Sequence, residues 1–309
     1  MRVLYVANHG QVNSNDDEGA IAFALTQLGH EVVCLKEGYC REVVNASERS
    51  EFDLLLFHKW GQSDCIKQVK AKVKAFWYFD LVEWPDPELE GRNKGRREWM
   101  AQTIPLVDIG FCTDGDWVAN HGDGGGKYIW LPQGADERVV GMGKVETCEY
   151  CNIEQRPIDI LFVGGVKNCG KGRREWFDFM NTAYCERLHH VERGVHGREL
   201  ADLVAKTKIV VAPEEPTTGK YWSNRIYVML GFGACLLHPW CGDLTAQYMD
   251  GQDLKLYGSL PKMQAMIEEL SNDPAQRSSL SCYGMQTTRN EHLYRHRCEQ
   301  LINAVKEKM

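Results

Sequence analysis

Residues 221–239, YWSNRIYVMLGFGACLLHP, join a helical pattern to a buried strand within one short segment. The apolar residues of the first half recur at the helical period, and glycines punctuate the end of the pattern. ACLLHP is then a continuous apolar run, typical of a parallel strand covered on both faces. The segment nevertheless opens on Ser223, Asn224 and Arg225, and these polar residues need a separate explanation.

The same alternation of short apolar runs and helical patterns extends along the whole chain. The predicted strands are RVLYVAN, EVVCLK, FDLLLFHK, KAFWYFD, VDIGFCTD, KYIWLPQGAD, IDILFVGG, HHVERGVHG, KIVVAP and ACLLHP. Residues 137–157 lack sustained periodicity and are predicted to be a linker. The pattern predicts an α/β protein of two tandem Rossmann-like, doubly wound domains facing a cleft, at 1–145 and 146–309.

Length and composition bound the class of protein. The chain has 309 residues with 43% hydrophobic and 26% charged, which fits two ordinary globular domains. No apolar run reaches the roughly 18 residues that a membrane helix needs, and the start does not resemble a signal peptide. We therefore expect a cytoplasmic protein (host cytoplasm if the chain is viral) without a membrane partner. Cys34, Cys112 and Cys235 lie in apolar runs, where reduced, buried thiols are expected.

The polar opening of the segment 221–239 favours an anion site. Ser223 is a good N-cap residue, which places Asn224 and Arg225 in the first helical turn. An arginine there opposes the helix dipole unless an anion is bound, since the amides and the guanidinium then both bind it. The loop before it, with Thr218, suits a phosphorylated ligand. The alternative is an arginine that reaches solvent.

A second glycine-rich loop follows the strand IDILFVGG. Gly165, Gly170 and Lys171 nearly fit the P-loop spacing, but Gly172 stands where a P-loop needs Ser or Thr for Mg²⁺. The kinase or NTPase interpretation is therefore disfavoured. The glycines still allow a ligand to approach the backbone.

The second half of the chain resembles the C-terminal domain of GT-B glycosyltransferases of the CgeB-like (glycosyl transferase group 1) type. The resemblance covers most of residues 75–301 in order and spacing. It rests on WLPQGAD, Asn224-Arg225, Gly231 and Gly233, Asp250-Gly251, Asp273-Pro274 with Arg277, and the late helix from His292 to Arg297.

This resemblance implies a nucleotide-sugar donor in the second domain, expected to be UDP-linked, and an acceptor in the first, with no cofactor and no metal. The family's diphosphate-binding arginines fall on Arg225 and on Arg173 or Arg174. Many relatives hold the donor ribose with a glutamate where this chain has Val228, so either Glu214 or Glu215 replaces it or the donor is unusual. The candidate donor-binding residues are Gly164, Gly165, Arg173, Arg174, Glu215, Thr218, Ser223, Asn224 and Arg225.

Polar residues at strand ends of the first domain are the candidates for acceptor chemistry. Asp80 ends KAFWYFD and is the first choice for a catalytic carboxylate, and His58 ends LLLFH. The alternatives are a capping aspartate and a structural histidine. His9 follows the first strand and is an acceptor-site candidate. The sequence does not distinguish a retaining from an inverting enzyme.

Two basic runs, KQVKAKVKAFWY and GRNKGRREW, stand near tryptophans despite the net charge of −7. Cations with nearby aromatic rings suit a polyanion, and viral enzymes that glycosylate hydroxymethylated pyrimidines in DNA share the broad fold, so DNA is a possible acceptor. The alternative is a solvated helix face. The acceptor-binding candidates are His9, Lys70, Trp84, Arg96 and Arg97.

Two rival functions and one metal motif stay open. A nucleotide-sugar 2-epimerase could use the same architecture, and Val228 is compatible with a non-catalytic protein that binds nucleotide sugar or DNA. Cys148 and Cys151 have zinc-ligand spacing without a second matching pair, so metal is not expected. The oligomeric state is not predicted.

Overall fold

The computed structural model describes residues 1–9, 17–82, 84, 90–122, 127–140, 156–166, 171–192, 194–214 and 218–309, without the side chains of residues 92 and 171. The chain forms two compact units, both α/β. Unit 1 comprises residues 1–133 and 294–309, and unit 2 comprises residues 134–293.

Unit 1 contains a six-stranded sheet in the order β2-β1-β3-β4-β5-β6, with every pair parallel. Its strands are β1 (Arg2–Ala7), β2 (Glu31–Lys36), β3 (Leu54–Phe57), β4 (Val73–Tyr78), β5 (Ile109–Cys112) and β6 (Tyr128–Trp130). Its helices are α1 (Asp17–Gln27), α2 (Cys40–Arg49), α3 (Ser63–Gln68), α4 (Glu90–Thr103), α5 (Gly115–His121) and α12 (Tyr294–Lys306).

Unit 2 contains a five-stranded parallel sheet in the order β11-β10-β9-β7-β8. Its strands are β7 (Ile158–Val163), β8 (Leu188–Val191), β9 (Thr207–Val211), β10 (Leu236–Pro239) and β11 (Lys255–Tyr257). Its helices are α6 (Glu137–Val140), α7 (Lys171–Ala183), α8 (Gly197–Ala205), α9 (Arg225–Gly231), α10 (Leu260–Asn272) and α11 (Pro274–Glu291).

The predicted fold class is confirmed, because apolar parallel strands form a helix-covered sheet in each unit. In unit 1 the residues of β1 alternate between two buried clusters, with Tyr5 in one and Leu4 in the other. This burial on both faces explains why the strands read as continuous apolar runs.

The C-terminal helix α12 belongs to unit 1, although the sequence placed it in the second domain. Its buried residues Tyr294, Cys298 and Leu301 join the cluster that contains Tyr5 and α1. Their helical spacing gives α12 one apolar face, which packs against the sheet of unit 1. The two units divide between residues 133 and 134, whereas the predicted boundary between residues 145 and 146 lies outside the described residues. Residues 137–140 of the predicted linker form α6.

The cysteines only partly match the expectation of buried thiols. Cys112 and Cys235 are buried, but Cys34 is exposed because β2 is the outermost strand of its sheet. Cys40 of α2 and Cys65 of α3 are joined by a disulfide.

Candidate functional site

The strand order of unit 2 puts its switch point between β7 and β9. β8 lies on one side of β7 and β9 on the other, so the connections leave the sheet in opposite directions. In open α/β sheets, ligands bind outside the carboxyl ends of the strands at this point. Gly164 follows β7 there and Glu214 lies three residues beyond β9.

Glu214 is a buried carboxylate with both oxygens engaged. Its Oε1 accepts from the backbone amide of Ser223 at 2.9 Å, and its Oε2 lies 2.9 Å from Nε2 of His238. Nδ1 of His238 lies 2.7 Å from the carbonyl oxygen of Pro239. Because both ring nitrogens face oxygen acceptors, a doubly protonated imidazolium satisfies both contacts.

Glu214 is ionised at neutral pH despite its burial. Burial raises its pKa, but the hydrogen bond and charge of His238, the charge of Arg225 and the Ser223 amide together lower it to about 2. A buried carboxylate with these partners is also unavailable to a ribose. The predicted donor residue Glu215 lies outside the described residues.

Four polar side-chain atoms lie buried in this region and have no hydrogen-bond partner among the described residues. Such atoms carry a free-energy penalty unless a ligand or water satisfies them. They are Nη1 of Arg225, Oγ of Ser223, OH of Tyr257 and Oγ1 of Thr218. Three of these four atoms belong to residues that the sequence predicts to bind the nucleotide-sugar donor. Each of the three can donate a hydrogen bond, so the site suits an oxygen-rich anion.

The pKa of Arg225 shows which charges surround it. Burial lowers the pKa, the negative charge of Glu214 raises it, and the positive charge of Arg173 lowers it again. Arg173 is half-buried in the first turn of α7, whereas its neighbour Arg174 is exposed. The structure thus brings Arg173, and not Arg174, towards Arg225.

Gly164 permits the close approach of Arg225. Its backbone has a φ of 155°, and a Cβ there would lie 3.1 Å from Nη2 of Arg225 and 3.2 Å from the ring of Phe162. The predicted donor residues Gly164, Arg173 and Arg225 are therefore neighbours in unit 2, with Gly165 next along the chain.

The prediction that Ser223 is the N-cap residue is wrong. α9 begins at Arg225, so Asn224 occupies the capping position, and its side chain does not cap the helix. The backbone amide of Ser223 is bound by Glu214, which holds this residue outside the helix. Because α9 has only seven residues, we attribute anion binding to side chains and not to the helix dipole.

In unit 1 the switch point lies between β1 and β3, and His9 and His58 follow these two strands. His58 is buried, with Nδ1 2.8 Å from the Trp77 carbonyl oxygen and Nε2 2.5 Å from the Tyr5 hydroxyl. Burial lowers its pKa to about 4, more than the backbone hydrogen bond raises it. Both ring nitrogens are used within the protein, which favours the structural alternative for His58.

This burial predicts a pH dependence of stability. Above pH 6.5, the ordinary pKa of histidine, His58 is neutral in both the folded and the unfolded state. Below pH 6.5 the unfolded chain binds a proton at His58, whereas the folded chain binds it only near the lowered pKa of about 4. Stability is therefore lost as the pH falls from 6.5 to about 4. His58→Asn should reduce that slope by up to about 1.4 kcal/mol per pH unit. Urea unfolding of both proteins from pH 7.5 to 4 measures it, and parallel curves would contradict the prediction.

His9 is partly buried, with Nε2 3.2 Å from the Tyr5 carbonyl oxygen and its ring edge-on to the Tyr5 ring at 5.0 Å. Asp80, two residues after β4, forms ion pairs with Lys59 and, at 3.5 Å, with Arg96. The Asp80 side chain is 37% exposed, so the carboxylate can still contact a ligand.

Most of the basic residues near Asp80 have internal partners. Arg96 donates to the Leu81 carbonyl oxygen at 2.6 Å and lies 5.9 Å from the Trp84 ring. Arg97 pairs with Glu90, while Lys70 is exposed. In the described part of the two basic runs, ion pairs with acidic residues therefore neutralise several of the cations.

The described residues hold no group of three or more His, Cys, Asp or Glu side chains that could bind a metal ion. Cys148 and Cys151 lie outside them. None of the helices in the described part of the chain combines the length and apolar character that a bilayer crossing requires.

Two residues of the site were not predicted from the sequence. His238 lies inside an apolar strand and Tyr257 ends β11, so neither belongs to a polar motif. The one usable signal was position, because a histidine or tyrosine at the carboxyl end of a parallel strand lies at the ligand-binding edge.

Residues 154–303 match a family model described as glycosyl transferase-like. No curated protein matches the sequence.

Solved structures match over the full length of the chain. Sucrose-phosphate synthase from Thermosynechococcus elongatus is 11% identical, with a TM-score of 0.66 and coverage of 99% of this chain and 98% of that one. HepE from Anabaena, solved in complex with UDP-glucose, is 10% identical, with a TM-score of 0.67 and coverage of 99% and 100%. Trehalose-6-phosphate synthase from Burkholderia multivorans is 11% identical, with a TM-score of 0.63 and coverage of 99% and 98%. At these identities the likeness establishes the fold.

Proposed function

We propose that the chain is a GT-B glycosyltransferase that moves a sugar from a nucleoside-diphosphate sugar to a hydroxyl acceptor, since residues 154–303 match a glycosyl transferase-like family model and solved glycosyltransferases share the fold. The observation that carries the proposal is Arg225 at the β7/β9 switch point. Its buried Nη1 has no hydrogen-bond partner in the described residues, and three further polar atoms are in the same condition.

The chemistry of sugar transfer provides a hydrogen-bond partner for these four buried atoms. When the bond from the anomeric carbon to the diphosphate breaks, negative charge develops on the phosphate oxygens, and preorganised donors stabilise it. Arg225 and Arg173 supply two positive charges, and Ser223 and Thr218 supply hydroxyl donors. HepE was solved with UDP-glucose, which supports UDP as the donor nucleotide here.

We place the acceptor in unit 1, at the carboxyl ends of β1, β3 and β4. His9 and the exposed part of Asp80 are the groups there that a hydroxyl could contact. A carboxylate within hydrogen-bond reach could accept the hydroxyl proton during transfer.

Asp80→Asn should lower kcat about 100-fold and leave UDP affinity unchanged, since the amide keeps the shape but cannot accept a proton. Asp64→Asn is the matched control, because Asp64 is 86% exposed and pairs with Lys67. Full activity of Asp80→Asn would remove Asp80 from the acceptor site. A large loss of thermal stability would instead indicate a structural role, because a half-exposed ion pair contributes only about 1 kcal/mol.

A hydroxymethylated pyrimidine in DNA stays a prediction for the acceptor. Lys70 is exposed, but Arg96 and Arg97 already pair with carboxylates, so DNA binding would have to displace these partners. Such an acceptor would bind with strong salt dependence.

The test starts with a thermal-shift screen of UDP, GDP, ADP and dTDP against MgATP. A ligand at 100 times its Kd adds about 2.7 kcal/mol of stability, which is readily detected. The stabilising nucleotide is then supplied as its sugar with acceptors that include hydroxymethylated DNA. Release of nucleotide with glycosylated acceptor supports transfer. Isomerised free sugar without acceptor indicates a 2-epimerase, binding without turnover indicates a binding module, and stabilisation by MgATP alone overturns the proposal.

A further inference from the structure

Glu214 and His238 occupy a place in the donor site that the proposed chemistry does not use. We infer that they are positioning residues, which fix residues 223–225 so that Arg225 faces the phosphate groups of the donor. This inference rests on the proposed function of the site and adds two residues to it.

The hydrogen bonds form a chain from the sheet to the donor residues. The Pro239 carbonyl oxygen on β10 accepts from His238, and His238 donates to Oε2 of Glu214. Oε1 of Glu214 then accepts from the Ser223 amide. His238 is fully buried and Glu214 is 5% exposed, so the chain is rigidly packed. These hydrogen bonds hold Ser223, which lies two residues before Arg225.

Glu214 also acts on Arg225 through its charge. Arg225 is surrounded by Glu214, Arg173, Tyr221 and Tyr257. Before a donor binds, the negative charge of Glu214 offsets the repulsion between the guanidinium groups of Arg225 and Arg173. The contact with His238 lowers the pKa of Glu214 and so offsets the cost of burying this carboxylate.

Unsatisfied atoms give an independent sign that the fixed segment faces a ligand. Oγ of Ser223, Nη1 of Arg225 and OH of Tyr257 are buried and lack a hydrogen-bond partner among the described residues. Glu214 uses the backbone amide of Ser223 and leaves its hydroxyl for the ligand. A merely structural buried pair would not need to leave these polar atoms unsatisfied.

The test is a double-mutant cycle on UDP binding, measured by isothermal titration calorimetry. Glu214→Ala should weaken UDP binding at least tenfold. In an Arg225→Ala background, the same change should weaken binding less than twofold further, because Glu214 acts through Arg225. Independent, multiplicative losses would overturn the inference.

Conservative variants separate positioning from folding. Glu214→Gln keeps an oxygen for the Ser223 amide and can donate to a neutral His238, so it should recover much of the affinity that Glu214→Ala loses. His238→Gln should likewise bind UDP more tightly than His238→Ala. If Glu214→Gln binds UDP no more tightly than Glu214→Ala at equal thermal stability, the hydrogen bond to Ser223 does not have the proposed role.

Asp159→Asn is the matched control within unit 2. Asp159 lies on β7 and pairs with Lys208 at 2.6 Å and Arg187 at 3.3 Å, where β7 and β9 begin. Loss of the Asp159 negative charge should reduce the stability of unit 2 without changing its affinity for UDP. An equal effect of Asp159→Asn on UDP binding would reduce the role of Glu214 to general stability. If Arg225→Ala alone leaves UDP affinity unchanged, the proposed function fails and not only this inference.

Discussion

Arg225→Ala is expected to weaken UDP binding about 30-fold. The guanidinium is the charged hydrogen-bond donor at the centre of the site, and a hydrogen bond to a charged group contributes about 2 kcal/mol, which corresponds to about a 30-fold change in Kd. Loss of its positive charge beside the diphosphate adds to this effect. Isothermal titration calorimetry with UDP measures it directly.

Two variants control this result. Arg174→Ala removes an exposed arginine one residue from Arg173, so its Kd should stay within twofold of the native value. Arg225→Lys keeps the charge but loses the planar fork of donors, so an intermediate Kd is expected. An unchanged Kd for Arg225→Ala would show that the diphosphate, if it binds, lies elsewhere.

Kinetics then distinguish binding of the donor from stabilisation of the leaving group. If Arg225 contacts the diphosphate equally throughout the reaction, Arg225→Ala raises the donor KM and leaves kcat unchanged. If its contact strengthens as charge develops, kcat falls as well. We expect both changes, because the buried Nη1 is preorganised for an oxygen that becomes more negative.

The strands of both units were predictable because parallel strands are buried on both faces and read as unbroken apolar runs. Elements without that signal were missed. α2 buries only Val43 and Ser47 on one side, and its sequence CREVVNASER is mostly polar. β11 has three residues, fewer than a periodicity can establish. The grouping of α12 with unit 1 depends on contacts between distant parts of the chain, which no local pattern contains.

Those residues of the donor site that belong to a sequence motif were predictable. Those that only tertiary contacts bring to the site were not. Gly164 and Arg225 lie in recognisable segments, and the structure brings them together. The choice between Arg173 and Arg174 depends on the rotation of α7, which adjacent positions in the sequence do not reveal. Glu214 looked available for a ribose because its partner His238 lies 24 residues away.

The basic runs of unit 1 show the same limit for charges. KQVKAKVKAFWY looks cationic in the sequence, but Lys72 pairs with Asp53 at 2.7 Å and Lys67 with Asp64 at 3.0 Å. Asp53 is distant in sequence and near in space, so composition overestimates the cationic surface. The burial of Lys74, which lowers its pKa, adds to this difference.

Gly284→Ala is expected to destabilise unit 2 by about 3 kcal/mol. Gly284 lies inside α11, where a Cβ would overlap the backbone oxygen of Asp253 and lie 2.8 Å from Cδ2 of Leu230. A backbone oxygen cannot rotate away as a side chain can, so α11 would have to move away from Asp253. Differential scanning calorimetry should show a lower Tm for the transition of unit 2.

Two glycines with open space around them isolate the cause of this effect. Gly95 lies inside α4 with no heavy atom within 4 Å of an added Cβ, so Gly95→Ala should stabilise unit 1 by about 0.5–1 kcal/mol through helix propensity. Gly258 of unit 2 is equally open, and Gly258→Ala should change stability by less than about 0.5 kcal/mol. If Gly284→Ala also proved neutral or stabilising, the close packing of α11 against Asp253 and Leu230 would be wrong.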